Sequence, residues 1–549
     1  MKEHDLSDGM QPGEVREYAL NDFCKAFVEV KDNCWSYSVF AQDPNVSIFE
    51  NEFRAGFVQA KVQGKRAIGA ARDNVWRNFL LLGTPQQSLS IDIPDGALEI
   101  AEKSLYNNYK YLYNYIKEHG DERIPKDIKR LMFRMAGIAA GVKYDNIPEK
   151  VSYEDLDIDK MEAAERKLGG YCDEKITFMD IYFINAEMDM FDVISDKINL
   201  NPGEQHKKKA GSCSAYVRFM PDGEIYWTHN SWSGFYAQSC AVTYTIGDDF
   251  VTLNAYSQGE FGSNTDFGFN KHGIGFNETT HLFDYDKPKE LGLWLTWRSA
   301  AAEMFATSIQ DFYDYVSIDN TGTYLNGYQL IDAYRNQIGL IDMSYDRFAL
   351  FVSDGKTLKV TDSTGYVPTE KDYDPHLITP VHIFGVNFPV YRIIAYELGS
   401  MDVRPMRRVQ FFNHIDSVVD MESCKDLIVY TDPLEPLSIY GRWDLGYGTT
   451  EMKFLIEDEL IFRTRPDGSL DGCAFSASQV RAVLDGLQYK PNKDSKKTSF
   501  WMKYGTPTFQ GEPFIWSKSR FAKFKGPQEK DFVPDAVAGA WNLIPMFMD

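Results

Sequence analysis

No run of apolar residues in this chain of 549 approaches the roughly 18 that a membrane-spanning helix requires. The opening MKEHDLSDGMQPGEVREYAL has no hydrophobic segment of a signal peptide, so the chain reads as cytosolic unless a leader has been removed. Basic charge is scarce: 58 Lys and Arg stand against 80 Asp and Glu, a net charge of −22 with a pI near 4.9. That balance disfavours nucleic acid and anionic membrane surfaces as constitutive partners. The seven cysteines (24, 34, 172, 213, 240, 424, 473) contain no C-x-x-C pair, which argues against a zinc ribbon or a dense disulfide framework. There is no G-x-x-x-x-G-K and no H-E-x-x-H, and the nine histidines never pair at ligand spacing. No metal or other cofactor is implied. Internal repeats and low-complexity tracts are also missing. Aromatic residues, by contrast, are abundant: 32 Tyr, 37 Phe and 10 Trp run the whole length, which argues for one extended globular body.

The most informative stretch is Gly211-Ser212-Cys213-Ser214-Ala215-Tyr216-Val217-Arg218-Phe219. It follows a polar, turn-rich, lysine-rich segment, residues 201–212, that reads as an exposed and removable linker. From Cys213 the alternation of residue types predicts a β-strand, Pro221-Asp222-Gly223 a tight turn, and Glu224 to Thr228 a second strand leading into His229-Asn230-Ser231-Trp232. A nucleophile at the first position of a strand, after a dispensable linker, is the arrangement of an N-terminal nucleophile hydrolase. Such an enzyme cuts its own chain before the nucleophile and then uses the freed α-amine as base. A nucleophile elbow would need a buried strand before the cysteine and a helix after it, the reverse of the order here. A buried, inert thiol at a strand start stays open as the plain reading of Cys213.

Before the linker, residues 26–30 and 35–39 read as a strand pair and 48–82 as helix. Asp95, as N-cap, opens a helix to Glu118, and Pro125 opens another ending near Gly141. Residues 153–168 read as a charged amphipathic helix; 178–191 fit either strand or helix. Asp155-x-Asp157-x-Asp159 resembles the start of a calcium loop but has Lys160 and Arg166 at its sixth and twelfth positions, so it reads as a helix N-terminus. After Cys213, strands are expected at 214–220, 224–228, 235–246, 249–256, 327–334 and 337–361, with helices at 290–316 and 406–430. The chain thus divides into a mostly helical fragment (1–200), the linker (201–212) and a fragment beginning at Cys213 (213–549).

Gly211-Ser212-Cys213-Ser214-Ala215, then Pro221-Asp222-Gly223, then Thr228-His229-Asn230-Ser231-Trp232 resemble the cleavage-site signature of the phospholipase B-like family. Further matches keep family order: Trp35-Ser36-Tyr37, Ala55-Gly56-Phe57-Val58, Asn320-Thr321-Gly322-Thr323-Tyr324-Leu325-Asn326, Val386-Asn387-Phe388-Pro389, Arg408-Val409-Gln410 and Phe514-Ile515-Trp516-Ser517. Leu325 and Glu451 depart from the pattern, and the C-x-x-C of some members is missing; only Asn45 and Asn277 lie in glycosylation sequons. The family is mostly lysosomal or secreted, which leaves the compartment open.

The resemblance implies an α+β fold of the N-terminal nucleophile hydrolase type, an αββα sandwich of two antiparallel sheets between helical layers. It implies cleavage between Ser212 and Cys213, with Cys213 as nucleophile and α-amine base, Asn387 as oxyanion donor, and Arg408 tuning the thiol or holding an anion. His229 is matched as catalytic or as a hydrogen-bonded strand-end residue, and Trp232 and Thr280 as pocket residues; Asn326 reads as a turn or network residue. The expected substrates are acyl esters of (lyso)phospholipids, with N-acyl amino acids or small amides as the alternative. A non-catalytic lipid- or partner-binding protein is the third reading. The expected partners are the small acyl substrate and the chain's own N-terminal fragment, without stable membrane insertion; a homodimer is compatible with this.

Overall fold

β1 (Val15–Asn21), in which exposed and half-buried residues alternate, forms an antiparallel meander with β2 (Cys24–Lys31), in which buried and half-buried residues alternate, and the nearly buried β3 (Cys34–Ala41) in the computed structural model. The structure describes residues 10–83, 95–198 and 213–439, apart from 32–33, 222, 234–239, 256, 264–266, 282–287, 401, 403–404, 431 and 433–437; beyond these it describes five short strands. After the linker, the next strands in order are β4 (Cys213–Phe219), β5 (Ile225–Ser233), β6 (Cys240–Ile246), β7 (Asp249–Ala255), β8 (Phe267–Asn270) and β9 (Ile274–Thr280). They are followed by β10 (Asn326–Asp332), β11 (Gln337–Met343), β12 (Phe348–Ser353), β13 (Leu358–Asp362) and β14 (His382–Gly385). The last five are β15 (Ala477–Asp485), β16 (Ser499–Gly505), β17 (Phe514–Ile515), β18 (Ala536–Val537) and β19 (Asn542–Ile544).

An eleven-stranded sheet runs β1-β2-β3-β6-β7-β8-β9-β10-β11-β12-β13, and a six-stranded sheet runs β14-β4-β5-β15-β16-β19. β17 and β18 pair separately. The two large sheets face each other: Trp227 of β5 is fully buried and lies 5.9 Å from the Phe267 ring and 5.8 Å from that of Phe269 in β8. Truncating such a buried tryptophan costs about 3–5 kcal/mol.

The helices are α1 (Ile48–Gln63), α2 (Lys65–Gly83), α3 (Ala97–His119), α4 (Arg123–Lys143), α5 (Phe178–Asn185), α6 (Glu187–Ile198), α7 (Leu295–Phe305), α8 (Ile309–Ser317), α9 (Arg392–Glu397), α10 (Pro405–His414) and α11 (Met421–Ile428). Phe312 of α8 packs on Phe276 and Tyr328, which covers the outer face of the large sheet. Tyr216 of β4 packs on Phe411 of α10 and donates its hydroxyl to Cys424 Sγ of α11 at 2.7 Å, which covers the outer face of the smaller one. The fold is α+β, with helices outside and two sheets inside.

Several expectations are corrected by this arrangement. The large sheet is mixed, because β3 runs parallel to β6, Trp35 opposite Cys240 through to Ala41 opposite Ile246. Among the described residues, those before position 201 therefore contribute three strands as well as six helices. The helix expected at 48–82 is two, since Gly64 caps α1 with φ of +87°, a conformation glycine adopts without a Cβ clash. Gly96, not Asp95, caps α3. In place of a helix over 153–168 there is one 3₁₀ turn, Tyr153–Leu156, followed by turns. There the Asp157 carboxylate accepts from the Asp159 amide at 3.1 Å, so the side chain competes with the helical ladder. Asp159 itself pairs with Lys110. Residues 178–191 are helical. Residues 290–294 precede α7, Ser308 caps α8 anew, and 406–430 is broken between α10 and α11.

Candidate active site

The β4–β5 hairpin turns at Gly223, whose φ of +92° suits a residue without a side chain and whose N–H donates to Met220. This register sets Cys213 opposite Ser231, Ala215 opposite His229 and Val217 opposite Trp227. Directly opposed residues share a face. Cys213, Ser231, His229 and Trp227 thus point between the sheets, while Ser214 and Asn230 point out toward α10 and α11. The Cys213 Sγ lies 3.7 Å from Ser231 Oγ, both side chains nearly buried. On the other face Asn230 accepts from the Ser214 amide at 3.0 Å and donates to the Ile428 carbonyl at 2.9 Å.

β14 pairs with β4, Gly385 opposite Ala215, and passes Asn387 to the start of β4. A Cβ on Gly385 would lie 2.7 Å from both Gln329 Oε1 and Thr279 Cγ2, so glycine permits this close approach of the sheets. Asn387 sits at φ of +59°, a left-handed conformation that costs a non-glycine residue roughly 1 kcal/mol or more. Its amide is held from three sides. Oδ1 accepts from the Cys213 backbone N–H at 3.1 Å and from Arg407 Nη1 at 3.1 Å, and Nδ2 donates to the Thr280 carbonyl at 3.0 Å. These partners decide which end of the amide is oxygen.

Arg407 is wholly buried. Its Nη1 donates to the Cys213 carbonyl and, at 3.0 Å, to Ser214 Oγ, and its Nη2 donates to the Val386 carbonyl. One guanidinium thus spans the start of β4 and the end of β14. Arg408, matched from the sequence, is not at this place: its Nη1 pairs with Asp374 at 2.6 Å and its Nη2 faces Asp402 at 3.5 Å, with about a quarter of the side chain exposed. At 3.6 residues per turn, neighbours on a helix point about 100° apart, so a shift of one position carries the charge out of the site. Arg407, Gln410 and Phe411 form the buried face of α10, the spacing i, i+3, i+4 that could have identified Arg407 in the sequence.

The remaining matched residues border this group. Thr280 stands at the end of β9, its Oγ1 3.2 Å from the Tyr324 hydroxyl. The Tyr324 hydroxyl in turn lies 3.4 Å from Glu278 Oε2, and its backbone φ is +45°. Asn326 opposes Thr280 in the ladder. The His229 ring bonds the Glu278 carbonyl through Nε2 at 2.7 Å, a bridge between the two sheets. Trp232 lies in β5 opposite Ser478. Ser212, the linker 201–212, Glu451, Trp516 and Ser517 lie outside the described residues. Asn277 of the second sequon is buried and donates to the Thr228 carbonyl at 3.0 Å, which removes it as a glycan acceptor.

Cys24, Cys172, Cys213, Cys240 and Cys424 are free thiols. Burial pushes those of Cys24 and Cys424 up to about 12, the behaviour of inert core sulfurs. No group of His, Cys, Asp and Glu side chains able to hold a metal occurs among the described residues, and no described helix is long and apolar enough to cross a membrane.

Residues 100–525 match the family model described as Phospholipase B. The chain belongs to the Phospholipase B family. It is 27% identical over 281 residues to Phospholipase B-like 1 of Rattus norvegicus, covering 47% of this chain and 49% of that protein. Phospholipase B-like protein G of Dictyostelium discoideum is 26% identical over 271 residues, 44% of each chain. Phospholipase-B 81 of Drysdalia coronoides is 24% identical over 287 residues, 47% of this chain and 50% of that one. The chain spans about half the length of the curated relatives it matches.

Proposed function

We propose that this member of the Phospholipase B family is a hydrolase of acyl ester bonds in (lyso)phospholipids, and that it matures by cutting its own chain before Cys213. Family membership supports the hydrolase class, and the names of its relatives support the substrate class. The observation that carries the cysteine mechanism is the convergence of Asn387 and Arg407 on the backbone of Cys213 at the first position of a buried strand.

In the first step Cys213 Sγ attacks the Ser212 carbonyl carbon. A C–S bond forms, the C–N bond breaks, and the thiol proton ends on the Cys213 nitrogen. Water then hydrolyses the thioester: its oxygen joins the acyl carbon, one of its protons goes to the sulfur, and the other leaves the new Ser212 carboxyl for the α-amine, so that a carboxylate and a free thiol remain. The freed α-amine takes the place of the backbone N–H that donates to Asn387 Oδ1. An α-amine titrates near ~8 in model peptides, and a guanidinium hydrogen-bonded to the adjoining carbonyl disfavours its protonated form, which suits a base at neutral pH.

In turnover the amine accepts the thiol proton, the thiolate attacks the substrate acyl carbon, and the alcohol leaves with that proton. Water then releases the fatty acid from the thioester. Asn387 Nδ2 carries a second hydrogen besides the one on Thr280, and it serves the developing oxyanion. Arg407 keeps the amide turned so that oxygen faces the amine and nitrogen faces the acyl group.

The test combines an SDS gel and N-terminal sequencing of the purified protein with assay of the cut form on lysophospholipids, phospholipids and N-acyl amino acids. A new N-terminus at Cys213 and fatty-acid release from the phospholipids are expected. Turnover of none of them by the cut protein overturns the reading.

A further inference from the structure

The α-amine that serves as base in the mature enzyme does not exist before the chain is cut, when Cys213 N is still an amide. Thiol activation in the uncut chain must therefore come from a group already in place. Ser231 is such a group: it stands directly opposite Cys213 in the β4–β5 ladder, on the same face, with its hydroxyl oxygen 3.7 Å from the sulfur. That is hydrogen-bond distance for sulfur, and both side chains are nearly buried, where a hydroxyl dipole acts on a thiolate with little screening by water. The ladder fixes the pairing. A cross-strand neighbour cannot drift away without a change of register.

We propose that Ser231 is the positioning residue of the Cys213 thiol: its hydroxyl donates to the thiolate, orienting and stabilising it both for the first cut and for turnover. The hydroxyl keeps its own proton. It is neither base nor nucleophile, and the thiol proton goes to the Cys213 nitrogen in the cut and to the α-amine in the mature site. This deepens the hydrolase reading and rests on Cys213 as its nucleophile.

The test is the pH dependence of Cys213 alkylation by chloroacetamide, followed by mass spectrometry of the Cys213 peptide, in wild type, Ser231→Ala and Ser231→Thr, together with the rate of self-cleavage. A hydrogen bond to the charged form favours that form. Ser231→Ala therefore raises the alkylation midpoint by roughly half to one pH unit and slows self-cleavage about three- to tenfold, the scale of one such bond. Ser231→Thr keeps the hydroxyl and restores both. A midpoint in Ser231→Ala equal to that of wild type overturns the proposal, as does a Thr variant that behaves like Ala. A raised midpoint in protein that neither self-cleaves nor turns over substrate leaves the contact between Ser231 and Cys213 standing and sinks the hydrolase reading instead.

Discussion

Arg407 donates to the carbonyl of Cys213, although 193 residues lie between them and the two belong to a helix and a strand whose aromatic side chains also pack together. A buried guanidinium on the backbone of a strand's first residue anchors that end of the strand, and under the proposed cut it would hold it in place without the peptide link.

Arg407 and Arg408 are adjacent in the chain and opposite in consequence. Arg407→Ala removes the donor shared by Cys213, Ser214 and Asn387, and is expected to abolish self-cleavage on a gel within the time wild type completes it. Arg408→Ala breaks a part-buried pair with Asp374, away from Cys213, and leaves the cut intact. The reverse outcome would return the sequence-matched arginine to the site.

Asn387→Ala removes both the acceptor of the Cys213 N–H and the proposed oxyanion donor. In the cut protein kcat falls by one to three orders of magnitude, about 1.4–4 kcal/mol of transition-state stabilisation, with KM changed far less. Asn387→Asp retains the acceptor and loses the donor, so steady-state kinetics of the two variants separate those roles.

Cleavage before Cys213 divides the chain into pieces of 212 and 337 residues, about 24 and 39 kDa in proportion to the 62.9 kDa total. Size-exclusion chromatography under native conditions is expected to keep them in one peak. Cys213→Ala leaves a single intact band with an unchanged circular dichroism spectrum. Dissociation of the pieces on the column would contradict the shared sheet.

His382 supplies a pH dependence of stability. Burial, and secondarily the nearby Arg218, lower its pKa to about 4, against the opposing influence of Asp416. The unfolded state therefore binds the proton first as pH falls through about 6.5, and stability contributed by the neutral ring is lost progressively down to about 4. At pH 5.5 this amounts to roughly 1 kcal/mol. Thermal unfolding at pH 7.5 and 5.5 is expected to show a smaller drop in Tm for His382→Gln than for wild type; an equal drop assigns the acid sensitivity elsewhere.

The hairpin that opens at Cys213 was readable because its signals are local. Period-two alternation, a Pro-Asp-Gly turn and a preceding polar segment all lie within residues 201–228. The place of Asn387 came through a short motif. The R-x-Q match points to Arg408, and one residue along a helix is a turn of about 100°, so only the shared burial of Arg407, Gln410 and Phe411 shows which arginine meets Cys213. The helix expected at 153–168 failed where Asp157 captures a backbone N–H that periodicity alone takes no account of. Nothing in residues 34–41 signals that they pair in parallel with 240–246. Partner choice in a sheet is settled by the whole packed body rather than by either strand.

That parallel ladder has a kinetic meaning. In the intact chain, bringing β3 to β6 closes a loop of about 200 residues, an entropic cost of order 5 kcal/mol met within one molecule. With the backbone broken before Cys213, the two strands belong to separate polypeptides and their meeting becomes a second-order encounter. A denatured, cut sample then regains the eleven-stranded sheet at a rate that rises with protein concentration, whereas an uncut sample refolds at a rate independent of it.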